Sequence, residues 1–266
     1  MPAPDAITCD RLAKLIGTPR CPTLLDVRAE PARASDPRLI PGARLLDADT
    51  ATPEGLGTAA ATLTGPVVTI CAEGHRRSQG AAALLRSHGL AAEYLEGGHT
   101  GWLAAGLPVI DPTKITVRDP SGRSVWVTRS RPKIDRIACP WLIRRFVDPR
   151  AVFLFVAPAE VTGVGELFGA IPYDIEDVFW SHRGDRCTFD TMIAEFGLAI
   201  PALARLDLAP EASGLLAASL GLSRMYAGDL EQLEAGMALY DAFYRWARDA
   251  TDETHNWPAP GRPAAR

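Results

Sequence analysis

The chain has 266 residues, 47% of them hydrophobic, which is enough for one large domain or two ordinary ones with a buried core. A formal net charge of −4 at pH 7 supplies no overall basic field, so no nucleic-acid partner is expected. No apolar run reaches the ~18 residues of a membrane span, and Met1-Pro2-Ala3-Pro4-Asp5 lacks the charged start and apolar stretch of a secretory signal. Cys9, Cys21, Cys71, Cys139 and Cys187 are widely spaced, with no C-x-x-C pair. That excludes a zinc ribbon or a disulfide framework, and a cytoplasmic protein in a reducing compartment is expected, with no membrane partner.

In chain order, Thr23–Arg28 reads as a buried strand. Val67–Ile70 is a second strand, rich in β-branched residues and ending at Cys71. Ala and Leu at helical spacing predict a helix from Ser78 to His88, stopped by Gly89, and Glu93–Glu96 reads as a third strand. Strand, helix, strand in so short a length implies a parallel α/β sheet. Pro112, Pro120 and Ser121-Gly122 mark a linker over residues 113–123. Beyond it, strands are expected at Val125–Val127 and Val152–Val156, with a helix over Asp135–Val147 between them. Phe189, Met192, Ile193 and Phe196 fall on one helix face. Pro210 suits the first turn of a helix running to Tyr226, and Asp229 with Gln232 resembles a capping box opening a helix to Arg248. Tyr240, Phe243, Tyr244 and Trp246 on that last helix are most simply packing residues. The expected organisation is an α/β domain over 1–112, the linker, a helix-rich α+β domain over 124–251, and a loose tail over 252–266. The two domains are expected to fold independently.

Cys71 ends a strand, and Ala72-Glu73-Gly74-His75-Arg76-Arg77 leads from it to Ser78, the expected helix start. Such a loop points successive N–H groups inward and adds the positive end of a helix, so it suits a thiolate or a tetrahedral oxyanion. A cysteine there becomes a nucleophile. Alone, a cysteine ending an apolar strand is more often a small core residue; the glycine, the two arginines and the helix start shift the balance. One of Arg76 and Arg77 is expected to face the sulfur, and His75 to offer a further donor.

Around this loop stand Asp26-Val27-Arg28, Ile40-Pro41-Gly42-Ala43 and Leu95-Glu96-Gly97-Gly98-His99-Thr100-Gly101-Trp102. Together with the cysteine loop they resemble the rhodanese family over roughly the first 110 residues. Leu39 stands where that family often has histidine. The resemblance implies a doubly wound parallel α/β fold, Asp26 and Arg28 in supporting roles, and transfer of sulfane sulfur through a persulfide on Cys71. No cofactor is required for that chemistry. Cys71 to Arg77 also fits C-x(5)-R. A loop of that length resembles those of rhodanese-like phosphatases and arsenate reductases, so phosphate ester hydrolysis and oxyanion reduction stay open.

In the second half, the run from Trp126 to Phe146, with Phe179–Phe189 and Gly221–Tyr226, resembles the C-terminal domain of the chromate resistance protein ChrB. Asp135 and Cys139 share a helix face at i, i+4, Arg136 is adjacent, and His182, Arg183 and Cys187 flank a glycine turn before another helix. Singly, each reads as a core or salt-bridged residue. As a set they form a candidate pocket of metal-ligand and oxyanion-binding types, in which the metal, if any, is unspecified. The favoured reading is a sulfurtransferase linked to chromate resistance, acting on small sulfur- or chromium-containing oxyanions and a thiol acceptor. The alternatives are a chromate or oxyanion sensor that does not turn over, and a cysteine-dependent phosphatase or arsenate-reductase-like enzyme.

Overall fold

The computed structural model describes residues 5–46, 51–208, 212–251 and 253. The first half forms a sheet of five strands, β1 (Ala6–Ile7), β2 (Thr23–Asp26), β3 (Ala43–Leu45), β4 (Val67–Ile70) and β5 (Ala92–Leu95). Their order is β1-β5-β4-β2-β3 and every pair is parallel. Helices α1 (Cys9–Ala13), α2 (Glu30–Ser35), α3 (Pro53–Ala60), α4 (Arg76–Ser87) and α5 (Gly98–Ala104) connect them. The two-residue alternation of the strands explains the doubly wound arrangement. Leu25, Val27, Val67 and Cys71 pack with Leu56 of α3 and Ala81, Ala82 and Leu85 of α4. Leu24, Val68, Ile70 and Leu95 face the other way, towards Leu12 and Trp102. From β2 the chain passes to β3 on one side and then returns to β4 on the other. The crevice beyond the ends of β2 and β4 is therefore the switch point where open α/β sheets bind ligands, and Cys71 lies there.

The second half holds three parallel strands, β6 (Val125–Arg129), β7 (Val152–Val156) and β8 (Ile171–Pro172), in the order β7-β6-β8. Around them are α6 (Asp135–Leu142), α7 (Val161–Phe168), α8 (Thr188–Phe196), α9 (Pro201–Leu208), α10 (Ala212–Met225) and α11 (Asp229–Asp249). The region is helix-rich as expected, and no described helix is long and apolar enough to cross a membrane. The helix expected over Asp135–Val147 is α6 followed by a π-helical turn, Ile143–Val147. Pro140 inside α6 has no N–H to give the Arg136 carbonyl; the Tyr173 hydroxyl donates to that oxygen instead, at 3.4 Å. The capping box expected at Asp229 is absent. Gly228 is the N-cap, the Asp229 carboxylate accepts the Arg131 N–H at 3.0 Å, and the Gln232 amide donates to the Pro132 carbonyl. A reciprocal box stands instead at the start of α8, where Asp190 accepts the Cys187 N–H at 3.3 Å. Pro210 and nearly all of the expected tail lie outside the described residues.

The expectation of two independently folding units meets a physical objection. One hydrophobic cluster runs through both halves, joining Leu12, Ile16 and Trp102 to Trp126, Trp141, Phe146 and Tyr244. At Gly17, φ is +76°, and a Cβ would press into the Phe146 ring and lie 2.8 Å from Tyr244. The Gly42 N–H donates to the Phe146 carbonyl at 2.6 Å. The segment read as a linker is anchored too, since Ile115 is buried and Lys114 pairs with Glu195 of α8 at 3.0 Å. Each large side chain buried across this boundary is worth on the order of 1.5–3 kcal/mol.

Candidate functional site

Strand β4 delivers Cys71 into the switch-point crevice, where it is 5% exposed. Its sulfur lies 3.0 Å from Oγ of Ser78, which is fully buried in the first turn of α4. Thr69 Oγ1 donates to the Ser78 carbonyl at 2.8 Å and fixes that turn. The N-cap residue of α4, His75, makes no side-chain cap, so the first N–H groups remain for the sulfur. Burial pushes the Cys71 thiol up, but the Ser78 hydroxyl and the N–H groups of Ser78, Glu73 and His75 outweigh it, and the thiol titrates below its ordinary value.

Two glycines make the loop possible. Gly74 has φ +73°, and a Cβ there would sit 2.6 Å from the Leu95 carbonyl and 2.8 Å from the Gly97 nitrogen. Gly98 has φ +57°, and its Cβ would strike the Cys71 carbonyl and lie 2.7 Å from that of Ala72. Their bareness lets the start of α5 close on the loop, with the His99 N–H on the Cys71 carbonyl and the Thr100 N–H on the Ala72 carbonyl, both at 2.9 Å. This is the physical content of the Gly-Gly-His-Thr run.

Other expectations for the loop are corrected. Helix α4 begins at Arg76, two residues before Ser78, so both arginines lie in its first turn. There the helical phase carries them outward. Arg77 Nε donates to the Val27 carbonyl at 2.9 Å, and its side chain lines a groove with Val27, Pro53, Leu56 and Leu84. Arg76 is exposed. The strongest influences that lower the Cys71 thiol are the Ser78 hydroxyl and the loop N–H groups, ahead of either guanidinium. His75 and Glu73 are also exposed and pair with each other at 3.3 Å.

Asp26 and Arg28 stand beside the loop and not in it. They form a buried pair at 2.8 Å, 1% and 2% exposed. Arg28 also donates to the carbonyls of Asp36 at 2.9 Å and Arg38 at 2.8 Å, and meets His99 Nδ1 at 3.2 Å. Burial and the Arg28 charge push His99 down to about 4. The pair thus holds α5 in place, and α5 holds the Cys71 carbonyl.

In the second half, three of the six candidate pocket residues converge: Asp135, Arg136 and His182. Asp174, which sequence reasoning missed, joins them from just beyond β8. His182 Nε2 lies 3.7 Å from Asp135 Oδ2, and Nδ1 lies 3.8 Å from Asp174 Oδ1. Thr188 ties the group together: its hydroxyl donates to Asp174 at 2.8 Å and meets His182 Nδ1 at 3.1 Å, while its N–H donates to Asp135 at 3.1 Å. Arg136 and Arg129 approach the other Asp174 oxygen at 3.3 and 3.4 Å. Burial and the neighbouring Asp174 carboxylate push Asp135 up to about 6. Ile134, just before Asp135, has φ +42°, and Asp174 has φ +54°; a β-branched residue in that region stores strain of the kind that gathers at working sites. Arg183 is drawn away, pairing with Glu195 and stacking 4.5 Å over Phe179. Cys139 is wholly buried, Cys187 turns its thiol to Asp190 at 3.3 Å, and burial pushes both thiols up. The signal for Asp174 was an acidic residue two positions after a short apolar strand, a place where parallel sheets present functional groups.

A cysteine leaving a central parallel strand into a loop closed by a helix N-terminus defines a rhodanese-like site, and residues 8–105 match the rhodanese-like domain family. Residues 126–247 match the ChrB C-terminal domain family. The two matches follow one another along the chain, the first similar to rhodanese-like domains and the second to the C-terminal domain of ChrB. Protein ChrB of Cupriavidus metallidurans is 32% identical over 152 residues, covering 55% of this chain and 44% of that protein. The match thus spans less than half the length of that relative. Among solved structures, a rhodanese-related protein from Thermoplasma volcanium is 25% identical with a TM-score of 0.33, covering 40% of this chain and 97% of that one. A thiosulfate sulfurtransferase from Pseudomonas aeruginosa is 27% identical with a TM-score of 0.31, covering 41% of this chain and 20% of that one.

Proposed function

We propose that the chain is a sulfurtransferase that carries sulfane sulfur on Cys71 and serves chromate resistance. The observation that carries this reading is the Cys71 sulfur held 3.0 Å from Ser78 Oγ among loop N–H groups that favour its thiolate. The thiolate attacks the outer sulfur of thiosulfate. A new S–S bond forms as the old one breaks, and sulfite leaves with the bonding electron pair. The loop N–H groups that hold the thiolate also neutralise the anionic persulfide. An acceptor thiolate then attacks the terminal sulfur, takes it as its own persulfide, and releases Cys71 as a thiolate. Both steps use only these protein groups. The ChrB C-terminal domain supports the link to chromate resistance. The phosphatase-like reading needs an inward arginine, and Arg77 donates instead to the Val27 carbonyl.

The test is turnover of thiosulfate with cyanide as acceptor, read as thiocyanate. Wild type is expected to turn over and Cys71→Ser to fall to background. A Cys71→Ser protein that keeps the wild-type rate rules the proposal out.

A further inference from the structure

Away from Cys71, Asp135, Asp174 and His182 bring three ligand-type atoms within 4.8 Å of one another. Atoms bound at about 2.0–2.2 Å to a single ion lie up to about 4.4 Å apart, so an ion fits among these with shifts of a few tenths of an ångström. The three residues come from different parts of the chain: the first residue of α6, the turn just beyond β8, and the loop entering α8. They meet beyond the C-terminal ends of β6 and β8, where parallel sheets place ligands.

The surrounding groups already orient the set as the outer shell of a metal centre does. Thr188 Oγ1 meets His182 Nδ1 at 3.1 Å, which leaves Nε2 as the ligand atom facing Asp135. Arg136 and Arg129 occupy the outer oxygen of Asp174, while Oδ1 lies on the imidazole side, 3.8 Å from Nδ1, where it accepts the Thr188 hydroxyl and keeps a second lone pair. Two buried hydroxyls with unused hydrogen-bonding capacity lie on β6 and α8. Thr128 and Thr191 are 0% and 2% exposed, and neither hydroxyl has a partner. Thr128 precedes Arg129 on β6, on the strand face of Trp126, and Thr191 lies one turn along α8 from Thr188. Buried hydroxyls without a partner are the exception in folded proteins and call for a water or an ion that satisfies them. The His182 side chain is 60% exposed, so the open positions of an ion face solvent.

We propose that Asp135, Asp174 and His182 form a binding site for a divalent metal ion in the ChrB C-terminal domain. One imidazole and two carboxylates suit Mn²⁺ or Zn²⁺ in preference to a thiophilic ion. Cys139 is sealed beneath the site and Cys187 faces Asp190, so neither thiol completes it. Arg129 and Arg136 offset Asp174, so a bound ion adds net positive charge and its open positions take water or an anion.

The probe is Mn²⁺, which avoids the cysteines. Full-length protein stripped with chelator is titrated with MnCl₂ while free Mn²⁺ is read by electron paramagnetic resonance, and Zn²⁺ is then added as competitor. One Mn²⁺ per chain, displaced by Zn²⁺ and unchanged in Cys71→Ser, is expected. His182→Ala, an exposed position, should weaken binding at least about tenfold with an unaltered circular dichroism spectrum, and Asp135→Asn should do the same. Absence of a stoichiometric ion in wild type overturns the proposal. So does undiminished binding in folded His182→Ala, which decides the matter even when Asp135→Asn fails to fold.

Discussion

Ser78 Oγ sits 3.0 Å from Cys71 Sγ and, with the loop N–H groups, lowers the thiol against the effect of burial. A hydrogen bond to a charged partner is worth about 1.5–3 kcal/mol, or roughly one to two pH units. Ser78→Ala should therefore raise the Cys71 pKa by about that much, read from the pH dependence of iodoacetamide alkylation. Arg77→Ala should leave that profile almost unchanged, because Arg77 is spent on the Val27 carbonyl. A large shift in Arg77→Ala with none in Ser78→Ala would reverse the assignment. At this scale the sequence placed Cys71 where the fold has it, between the end of β4 and the loop that enters α4. It did not reveal which way the arginines turn, because that depends on helical phase. No Ser, Thr, Asp or Asn marks the N-cap of α4, so the start of the helix was misplaced by two residues. Asp174 escaped for a similar reason: it is far in sequence from Asp135 and His182, and only the folded sheet joins them.

Among the elements, α5 holds the Cys71 loop, and its His99 is tied to the buried Asp26–Arg28 pair. His99 is pushed from 6.5 to about 4 in the fold, so the folded protein refuses a proton that the unfolded chain accepts. Its contribution to stability is complete above about pH 6.5 and is lost as the pH falls towards 4. The loss is at most about 3 kcal/mol. His99→Asn should flatten this part of the stability profile between pH 7 and pH 5, measured by urea denaturation. Equal losses in wild type and variant would show that His99 is not the group responsible. Strands β2, β4 and β5 and helices α8 and α11 were legible because each carries enough apolar residues to show its period. Strands β1 and β3 have two and three residues, too short to show any. The π-helical turn after α6 was hidden because Pro140 alone does not say how the freed carbonyl will be satisfied.

Across the whole molecule, composition shift and proline content at 113–123 suggested a seam. The folded chain shows a continuous core beneath it, with Phe146 and Tyr244 closing on Gly17. Sequence punctuation marks where the backbone turns, whereas independence depends on which apolar faces are covered, and that is decided by distant residues. A fragment of residues 1–112 expressed alone would bare the side of the sheet that carries Leu12, Ile16 and Trp102. It should bind a hydrophobic dye and melt without cooperativity, while the full chain unfolds in one transition. A fragment that melts cooperatively at the temperature of the full chain would restore the two-unit view.

Whether Cys71 carries sulfur is decided by mass spectrometry of the full-length protein digested under non-reducing conditions after exposure to thiosulfate. A gain of about 32 Da, one sulfur atom, confined to the peptide bearing Cys71 and removed by a thiol acceptor, is the predicted result. A gain on the Cys139 or Cys187 peptide alone, or no gain on any peptide, would contradict it.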